Sequence, residues 1–177
     1  MEKISYQQAI KKSMEDLAND ERVIFLGYNT RFGSKAYGTL SGISESKIIE
    51  TPVAENLMVG LAIGMALEGY KPVVFFERHD FLLNALDGIV NHLDKLEKLS
   101  DGEFKSSVLI RATVGSKKPL FPGVQHMQDY TKSLKEMVSF PIYEPKNSEE
   151  IFSVYKSLKS FIRPSIIIEK KELYNLI

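Results

Sequence analysis

The sequence of 177 residues contains no cysteine, three histidines and no excess of either charge. The absence of cysteine excludes disulfide bonds, thiolate metal sites and a cysteine nucleophile. Basic and acidic residues number 23 each, so there is no electrostatic reason to expect nucleic acid or an anionic membrane as partner. No apolar run is long enough to span a bilayer, and residues 1–20 contain no apolar signal core. We therefore expect a cytoplasmic protein.

Short β-branched runs alternate with longer amphipathic runs along the chain. The pattern predicts strands at 23–27, 47–50, 72–76, 107–111, 140–144 and 165–169. It predicts helices at 5–19, 54–68, 81–99, 129–138 and 148–160. Six strands alternating with helices indicate an α/β fold, a three-layer α/β/α domain with a six-stranded parallel sheet. No repeat or linker interrupts residues 1–177, so we expect a single domain.

Ligands of open α/β sheets bind beyond the carboxyl ends of the strands. Three segments are predicted to lie there, at residues 51–55, 77–81 and 113–128. The third is a long loop that contains glycine and proline, and loops of that length often have a function. The candidate site is therefore expected where these three segments meet.

Glu55 is the first candidate residue. A glutamate in the first turn of a helix is favoured by the helix dipole, and a purely structural role is the common explanation. The side chains around it in the sequence are apolar: Val53, Ala54, Leu57, Met58 and Val59. A carboxylate with so few polar neighbours is expected to be partly removed from water, which favours a functional role.

Glu55 ends the segment Thr-Pro-Val-Ala-Glu, which is followed by spaced glycines and a proline: Gly60, Gly64, Gly69 and Pro72. This arrangement resembles the TP(I/V)AE segment in the β subunits of 2-oxoacid dehydrogenase E1 components, which are thiamine-diphosphate enzymes of the transketolase superfamily. Further matches follow in order at Asp80-Phe81, Ala85, Asp87, 89–91, Lys95, Ser100, Gly102, Arg111, 125–128, Glu169 and Leu173-Tyr174. The resemblance covers essentially the whole chain and implies the pyrimidine-binding domain of that superfamily.

The resemblance implies roles for individual residues. Glu55 would hydrogen-bond the N1′ atom of the cofactor's aminopyrimidine and so activate thiamine diphosphate. Phe81 would lie against the aminopyrimidine ring, as suits an apolar aromatic wall. Leu57 and Glu77 are assigned to the same cofactor pocket. His126 matches a histidine beside the reacting carbon, where an imidazole can transfer a proton or stabilise an oxyanion.

The substrate side is expected to include two glutamines and an arginine. Gln125 and Gln128 flank the loop histidine and would orient the loop or the substrate. Phe75 and Tyr28 replace acidic residues of the family pattern. We interpret these departures as a preference for a more polar substrate than a branched-chain oxoacid. Arg78 would pair with a carboxylate or phosphate, although a surface ion pair explains it nearly as well.

The sequence lacks the GDG motif through which thiamine enzymes bind the metal ion that holds the diphosphate. The nearest strings are Leu86-Asp-Gly88 and Ser100-Asp-Gly102, and no glycine-rich turn with a lysine follows a strand. No metal site is therefore expected in this chain, and Mg²⁺ would be held by a partner. The expected partner is a diphosphate-binding subunit in a 2+2 heterotetramer.

The expected function is half of a thiamine-diphosphate site, inactive without the partner. The reaction would break or form a bond next to the carbonyl group of a small molecule, as in ketol transfer, oxoacid decarboxylation or carboligation. The sequence stops at Ile177, where an E1 β subunit continues into a second domain, so a lone domain and a fragment both remain open. Two other functions also remain open: a nucleotide-binding α/β domain, and a non-catalytic interaction subunit that retains the fold.

Overall fold

Six parallel strands form the centre of the computed structural model, which describes residues 4–118 and 121–176. The strands are β1 (Val23–Gly27), β2 (Ile48–Glu50), β3 (Lys71–Phe76), β4 (Leu109–Val114), β5 (Ile142–Tyr143) and β6 (Ser165–Lys170). Their order is β2-β1-β3-β4-β6-β5, and every neighbouring pair is parallel. All residues of β3 and β4 are buried, as expected for central strands covered on both faces. The predicted six-stranded parallel sheet is confirmed.

Helices cover both faces of this sheet. They are α1 (Tyr6–Leu17), α2 (Glu55–Leu67), α3 (Leu96–Leu99), α4 (Thr131–Met137) and α5 (Ser148–Ser157). One apolar core lies between the sheet and the pair α1 and α5, and a second lies between the sheet, α2 and the segment that follows β3. The two separate cores make the fold a three-layer α/β/α structure, as predicted.

The start of α1 follows from its sequence. Ser5 precedes the helix, its hydroxyl accepts a hydrogen bond from the Gln8 backbone N–H at 3.2 Å, and the Gln8 side chain accepts one from the Ser5 N–H at 2.8 Å. This reciprocal capping box satisfies two N–H groups that a helix end leaves unbonded. The predicted capping residues are confirmed.

The predicted long helix at 81–99 is wrong. The structure has a 3₁₀ segment at His79–Ala85, a π-helical segment at Gly88–Leu93 and the short α3. The predicted apolar stripe is nevertheless largely buried, because Leu82, Ile89 and Leu93 all enter the second core. Apolar spacing alone does not separate helices of three, 3.6 and more than four residues per turn, so the pattern found the buried face and missed the backbone geometry.

The connections between strands place a crevice at the carboxyl edge of the sheet. After β1 the chain turns to β2 on one side, and after β3 it turns to β4 on the other. The crevice therefore lies between the carboxyl ends of β1 and β3, the position where ligands of such sheets bind. Of the three segments selected from the sequence, 51–55 follows β2 and 77–81 follows β3, and the described residues of 113–128 begin within β4 and continue from its end.

Within the described residues, no helix has the length and apolar character needed to cross a membrane.

Candidate active site

Glu55 is buried at the start of α2, with 5% of its surface exposed, although the nearby Val53 and Leu57 are 73% and 53% exposed. The side chain of the preceding Ala54 makes no capping bond. Among the described residues, Glu55 receives one hydrogen bond, a long one of 3.4 Å from Asn84 Nδ2 to its Oε2 atom. Buried carboxylates normally have several donors, so Glu55 has unused capacity to accept a hydrogen bond.

Phe81 and His126 meet at the same edge of the sheet. Their ring centroids are 5.3 Å apart and the rings are nearly perpendicular, at 84°. His126 ends the 3₁₀ turn Val124–His126, and its Nδ1 atom is buried without a hydrogen-bond partner in the described part of the chain. The structure thus brings together an aromatic wall and an imidazole that the sequence assigned to one site.

Glu55 and His126 are linked through the 3₁₀ segment that follows β3. Phe81 and Asn84 are three residues apart in this segment. Side chains three apart in a 3₁₀-helix lie on the same side. Asn84 contacts Glu55 and Phe81 contacts His126. One face of this segment therefore connects the two residues expected to be catalytic.

Tyr28 crosses the crevice between β1 and β3. Its hydroxyl donates a hydrogen bond to the backbone carbonyl of Glu77, and the side chain is buried. Burial, with the negative charges of Glu55 and Glu77, raises the pKa of Tyr28 above its usual value. The sequence showed Tyr28 only as a departure from the family pattern, whereas the structure places its hydroxyl on the backbone of Glu77, a predicted site residue.

Glu77 and Arg78 face the loop that follows β1. The Glu77 carboxylate accepts a hydrogen bond from Ser34 Oγ at 2.9 Å, and the Arg78 guanidinium lies 5.9 Å from the centroid of the Tyr37 ring. Gln125 and Gln128 are exposed to solvent. The roles assigned to Leu57, Glu77, Arg78 and the two glutamines stay predictions.

Gly115 allows the loop at residues 121–130, called here the His126 loop, to pack directly on the end of β4. A Cβ atom at Gly115 would lie 1.8 Å from the backbone carbonyl oxygen of His126 and 2.9 Å from Arg78 Nη1. Any side chain at position 115 would therefore displace the loop. The loop and its glycines are apparent in the sequence, but the glycine that close approach requires is apparent only in the structure.

A cavity of about 920 Å³ opens beside this loop. Met127, next to His126, forms part of its wall, and the lining includes four lysines: Lys117, Lys118, Lys170 and Lys171. The Lys171 ammonium lies 4.0 Å from the centroid of the Tyr37 ring and 4.1 Å from that of Tyr174. Burial lowers the pKa of Lys171. With four lysines and one glutamate, Glu172, the lining carries an excess of positive charge that sequence spacing had not revealed.

The family model of the transketolase pyrimidine-binding domain matches residues 2–176. The chain belongs to this family. It is 28% identical over 176 residues to the mitochondrial pyruvate dehydrogenase E1 component subunit beta of Saccharomyces cerevisiae, covering 97% of this chain and 48% of the relative. The corresponding subunit of Rickettsia felis is 27% identical, with coverage of 97% and 53%. This pyrimidine-binding domain thus spans about half the length of these curated relatives.

Solved structures show the same fold. A split-gene transketolase, described as an inactive beta4 tetramer, matches with a TM-score of 0.73 at 18% identity, over 95% of this chain and 52% of that one. Transketolase from Campylobacter jejuni matches with a TM-score of 0.76 at 14% identity, over 96% and 26%. At these identities the likeness concerns the fold alone.

The residues at the carboxyl edge fit the aminopyrimidine end of thiamine diphosphate, the cofactor that the family implies. A flat, polar heterocycle needs a carboxylate with a free lone pair and an aromatic wall, and Glu55 and Phe81 provide these. Thr51 Oγ1 and His126 Nδ1 are also buried without a hydrogen-bond partner within residues 4–118 and 121–176. Buried polar atoms are rarely left unbonded, so these two atoms are free to hydrogen-bond a polar group or water that enters the site. The same described residues contain no cluster of His, Cys, Asp and Glu that would hold a metal ion.

Proposed function

We propose that this pyrimidine-binding domain forms half of a thiamine-diphosphate site, and that Glu55 binds and activates the cofactor. The observation that carries the proposal is the buried Glu55 carboxylate, 5% exposed, whose one hydrogen bond from a described residue is 3.4 Å long. Its position at the carboxyl edge, linked through Asn84 and Phe81 to His126, supports the assignment.

The chain's own residues would have separate roles in binding the cofactor and in transferring protons. Glu55 would accept a hydrogen bond from the pyrimidine and hold a proton there, in a place from which water is largely excluded. Phe81 would support the flat face of the ring. His126 would exchange a proton with the substrate or stabilise negative charge on its oxygen. Thiamine diphosphate, when bound, supplies a carbon that adds to a carbonyl group and stores the electron pair of the broken bond.

A partner subunit would supply the diphosphate end of the site together with Mg²⁺. An exposed apolar surface beside Glu55 supports this, because Val53, Leu57, Leu61 and Leu83 all lie open to solvent. Gly60 and Gly64, on the same helix, have nothing within 4 Å of where a Cβ would stand, so another backbone can approach closely. We propose that a diphosphate-binding subunit covers this surface in a 2+2 heterotetramer.

The substrate would be a small carbonyl compound with an anionic group. Arg78 lies against the His126 loop, and four lysines line the neighbouring cavity. Hydrogen bonds from arginine or lysine to a carboxylate or phosphate group are strong because the two partners carry opposite charges. The proposed reaction breaks or forms the bond next to the carbonyl carbon.

Isothermal titration calorimetry with thiamine diphosphate and Mg²⁺ tests the proposal. We expect little or no binding to this chain alone and tight binding to its complex with a diphosphate-binding subunit. Glu55→Gln should weaken binding to the complex by about 10- to 100-fold, because a charge-assisted hydrogen bond contributes about 1.5–3 kcal/mol. Glu68→Gln, at the exposed end of the same helix, is the matched control and should bind normally.

Equal affinity in the Glu55 variant and the unchanged complex would contradict the role of Glu55. A complex that forms but takes up no thiamine diphosphate would favour the non-catalytic interaction subunit. Nucleotide binding by this chain alone would favour the nucleotide-binding alternative.

A further inference from the structure

Asp80 fixes the loop that carries His126. Its carboxylate is 7% exposed, and its Oδ1 atom accepts a hydrogen bond of 3.0 Å from the backbone N–H of Gln128, two residues after His126. Its Oδ2 atom is buried and has no hydrogen-bond partner among the described residues. One oxygen of a buried carboxylate thus bonds the loop two residues after His126, and it joins the loop to the segment that carries Phe81.

His79 contacts the same loop at Tyr130, two residues after the Gln128 that Asp80 binds. Its ring is fully buried and stacks on Tyr130, with centroids 6.1 Å apart and an angle of 23°. The Tyr130 N–H donates to His79 Nδ1 at 3.5 Å, and Thr131 Oγ1 lies 3.4 Å from Nε2. Three consecutive residues after β3 therefore contact every second residue of the loop, and the two series run in opposite directions. Phe81 contacts His126, Asp80 contacts Gln128 and His79 contacts Tyr130.

We infer that Asp80 is a positioning residue, which sets where the His126 imidazole stands against the Phe81 ring. The inference rests on the proposed function, in which His126 serves the reaction. The other side chains near His126 do little to hold the loop. Gln125 makes no hydrogen bond with the described residues, the Gln128 side chain accepts one from Tyr130 of the same loop, and Gly115 presents only backbone to His126. A catalytic group displaced by about 1 Å can lose about 100-fold in rate, so such an anchor would matter for activity.

Asp94 provides a control at the opposite edge of the sheet, and unlike Asp80 it also forms an ion pair, with Lys95. It is also 7% exposed, and its Oδ1 atom accepts hydrogen bonds from the Ser139 N–H at 2.6 Å and the Ser139 hydroxyl at 2.7 Å. Both aspartates are buried, and both hold a loop through a backbone N–H. Losing either should cost stability, but only Asp80 lies beside His126.

Nuclear magnetic resonance of the histidine rings tests the inference without cofactor or substrate. Because the Phe81 and His126 rings are in contact, the ring current of Phe81 should shift the His126 ring signals. In Asp80→Ala the His126 signals should move most of the way to those of Phe81→Leu, which lacks the ring current. In Asp94→Ala they should stay in place. Asp80→Asn keeps a side-chain oxygen that can accept from Gln128 and should restore the original signals.

In the reconstituted complex we expect Asp80→Ala to lower kcat about 10- to 100-fold with little change in KM or in thiamine-diphosphate affinity. Unchanged His126 signals in Asp80→Ala, or equal changes in the Asp80 and Asp94 variants, would overturn the inference. If Asp80→Ala does not fold, Asp80→Ser and Asp94→Ser give the same comparison. Because the ring signals are read without cofactor, they test Asp80 even if Glu55 proves not to bind thiamine diphosphate.

Discussion

Two buried glutamates in this molecule have opposite surroundings. Glu169, at the end of β6, is fully buried and accepts hydrogen bonds from Arg111 Nε at 2.7 Å, Arg111 Nη2 at 3.1 Å, Tyr174 at 2.6 Å and Tyr155 at 3.2 Å. Glu55 is nearly as buried, with the one long bond from Asn84. A carboxylate surrounded by donors stabilises the fold, whereas one left open can bind a ligand. The contrast locates the candidate site more sharply than burial alone.

The largest effect on stability is expected at Glu169. Glu169→Gln should lower the free energy of unfolding by about 3–5 kcal/mol, because it leaves the fully buried Arg111 guanidinium without its counter-charge. Urea denaturation followed by circular dichroism measures this. A loss below about 1 kcal/mol would show that the network is not structural and would weaken the comparison.

Alkaline pH should act on the same network with a smaller effect. Burial above all, together with the negative charge of Glu169, raises the pKa of Tyr155 and Tyr174 well above the usual 10.0. These phenols stay protonated in the folded chain while the unfolded chain loses their protons, so stability is complete below pH 10 and falls above it. The expected slope is about 1.4 kcal/mol per pH unit for each tyrosine.

Melting temperatures between pH 8 and pH 11 measure this dependence. The double change Tyr155→Phe and Tyr174→Phe should flatten the alkaline limb, although it also removes two hydrogen bonds to Glu169. An unchanged slope in the double variant would mean that other groups govern the alkaline transition.

The smallest effect on stability is expected at Glu55. Glu55→Gln removes a charge with few partners, so the free energy of unfolding should change by less than about 1 kcal/mol and can rise. Thermal unfolding of the chain alone measures this, next to the large loss of cofactor affinity expected in the complex. A destabilisation as large as that of Glu169→Gln would show that the Glu55 carboxylate also stabilises the fold, as that of Glu169 does.

Local sequence patterns predicted much of the fold. Ser5 and Gln8 predicted the start of α1, and the β-branched runs around Val73 and Ile167 predicted buried strands. Capping and burial are recognisable because they depend on residue types only a few positions apart. The stretch 81–99 was assigned to the wrong helix type. Its 3₁₀ and π segments depend on packing against α2, where a Cβ at Gly88 would lie 3.0 Å from Val59 Cγ1. Contacts between distant segments of that kind leave no periodic signal.

The candidate site was predicted in part. Glu55, Phe81 and His126 were identified because several motifs in the correct order resemble one family. The anchoring of the loop by His79 and Asp80 was not predicted, since each contact joins residues about fifty positions apart. The left-handed backbone at Lys35, Ala36 and Tyr37, with φ of 49°, 51° and 55°, was not predicted either, because none of these residues is a glycine. It is held by long-range contacts such as the perpendicular packing of Tyr37 on Phe75.

The sequence by itself determined the class of fold, the order of the strands along the chain and the residue types available for chemistry. These follow from hydrophobic periodicity, caps and short motifs, which act over a few residues. Only the tertiary structure decided which buried acceptor is left open, how Tyr28 spans the crevice and how the His126 loop is held. Those features depend on side chains from different strands and loops that meet at one edge of the sheet. The residues in contact there are far apart in sequence, so local patterns do not reveal them.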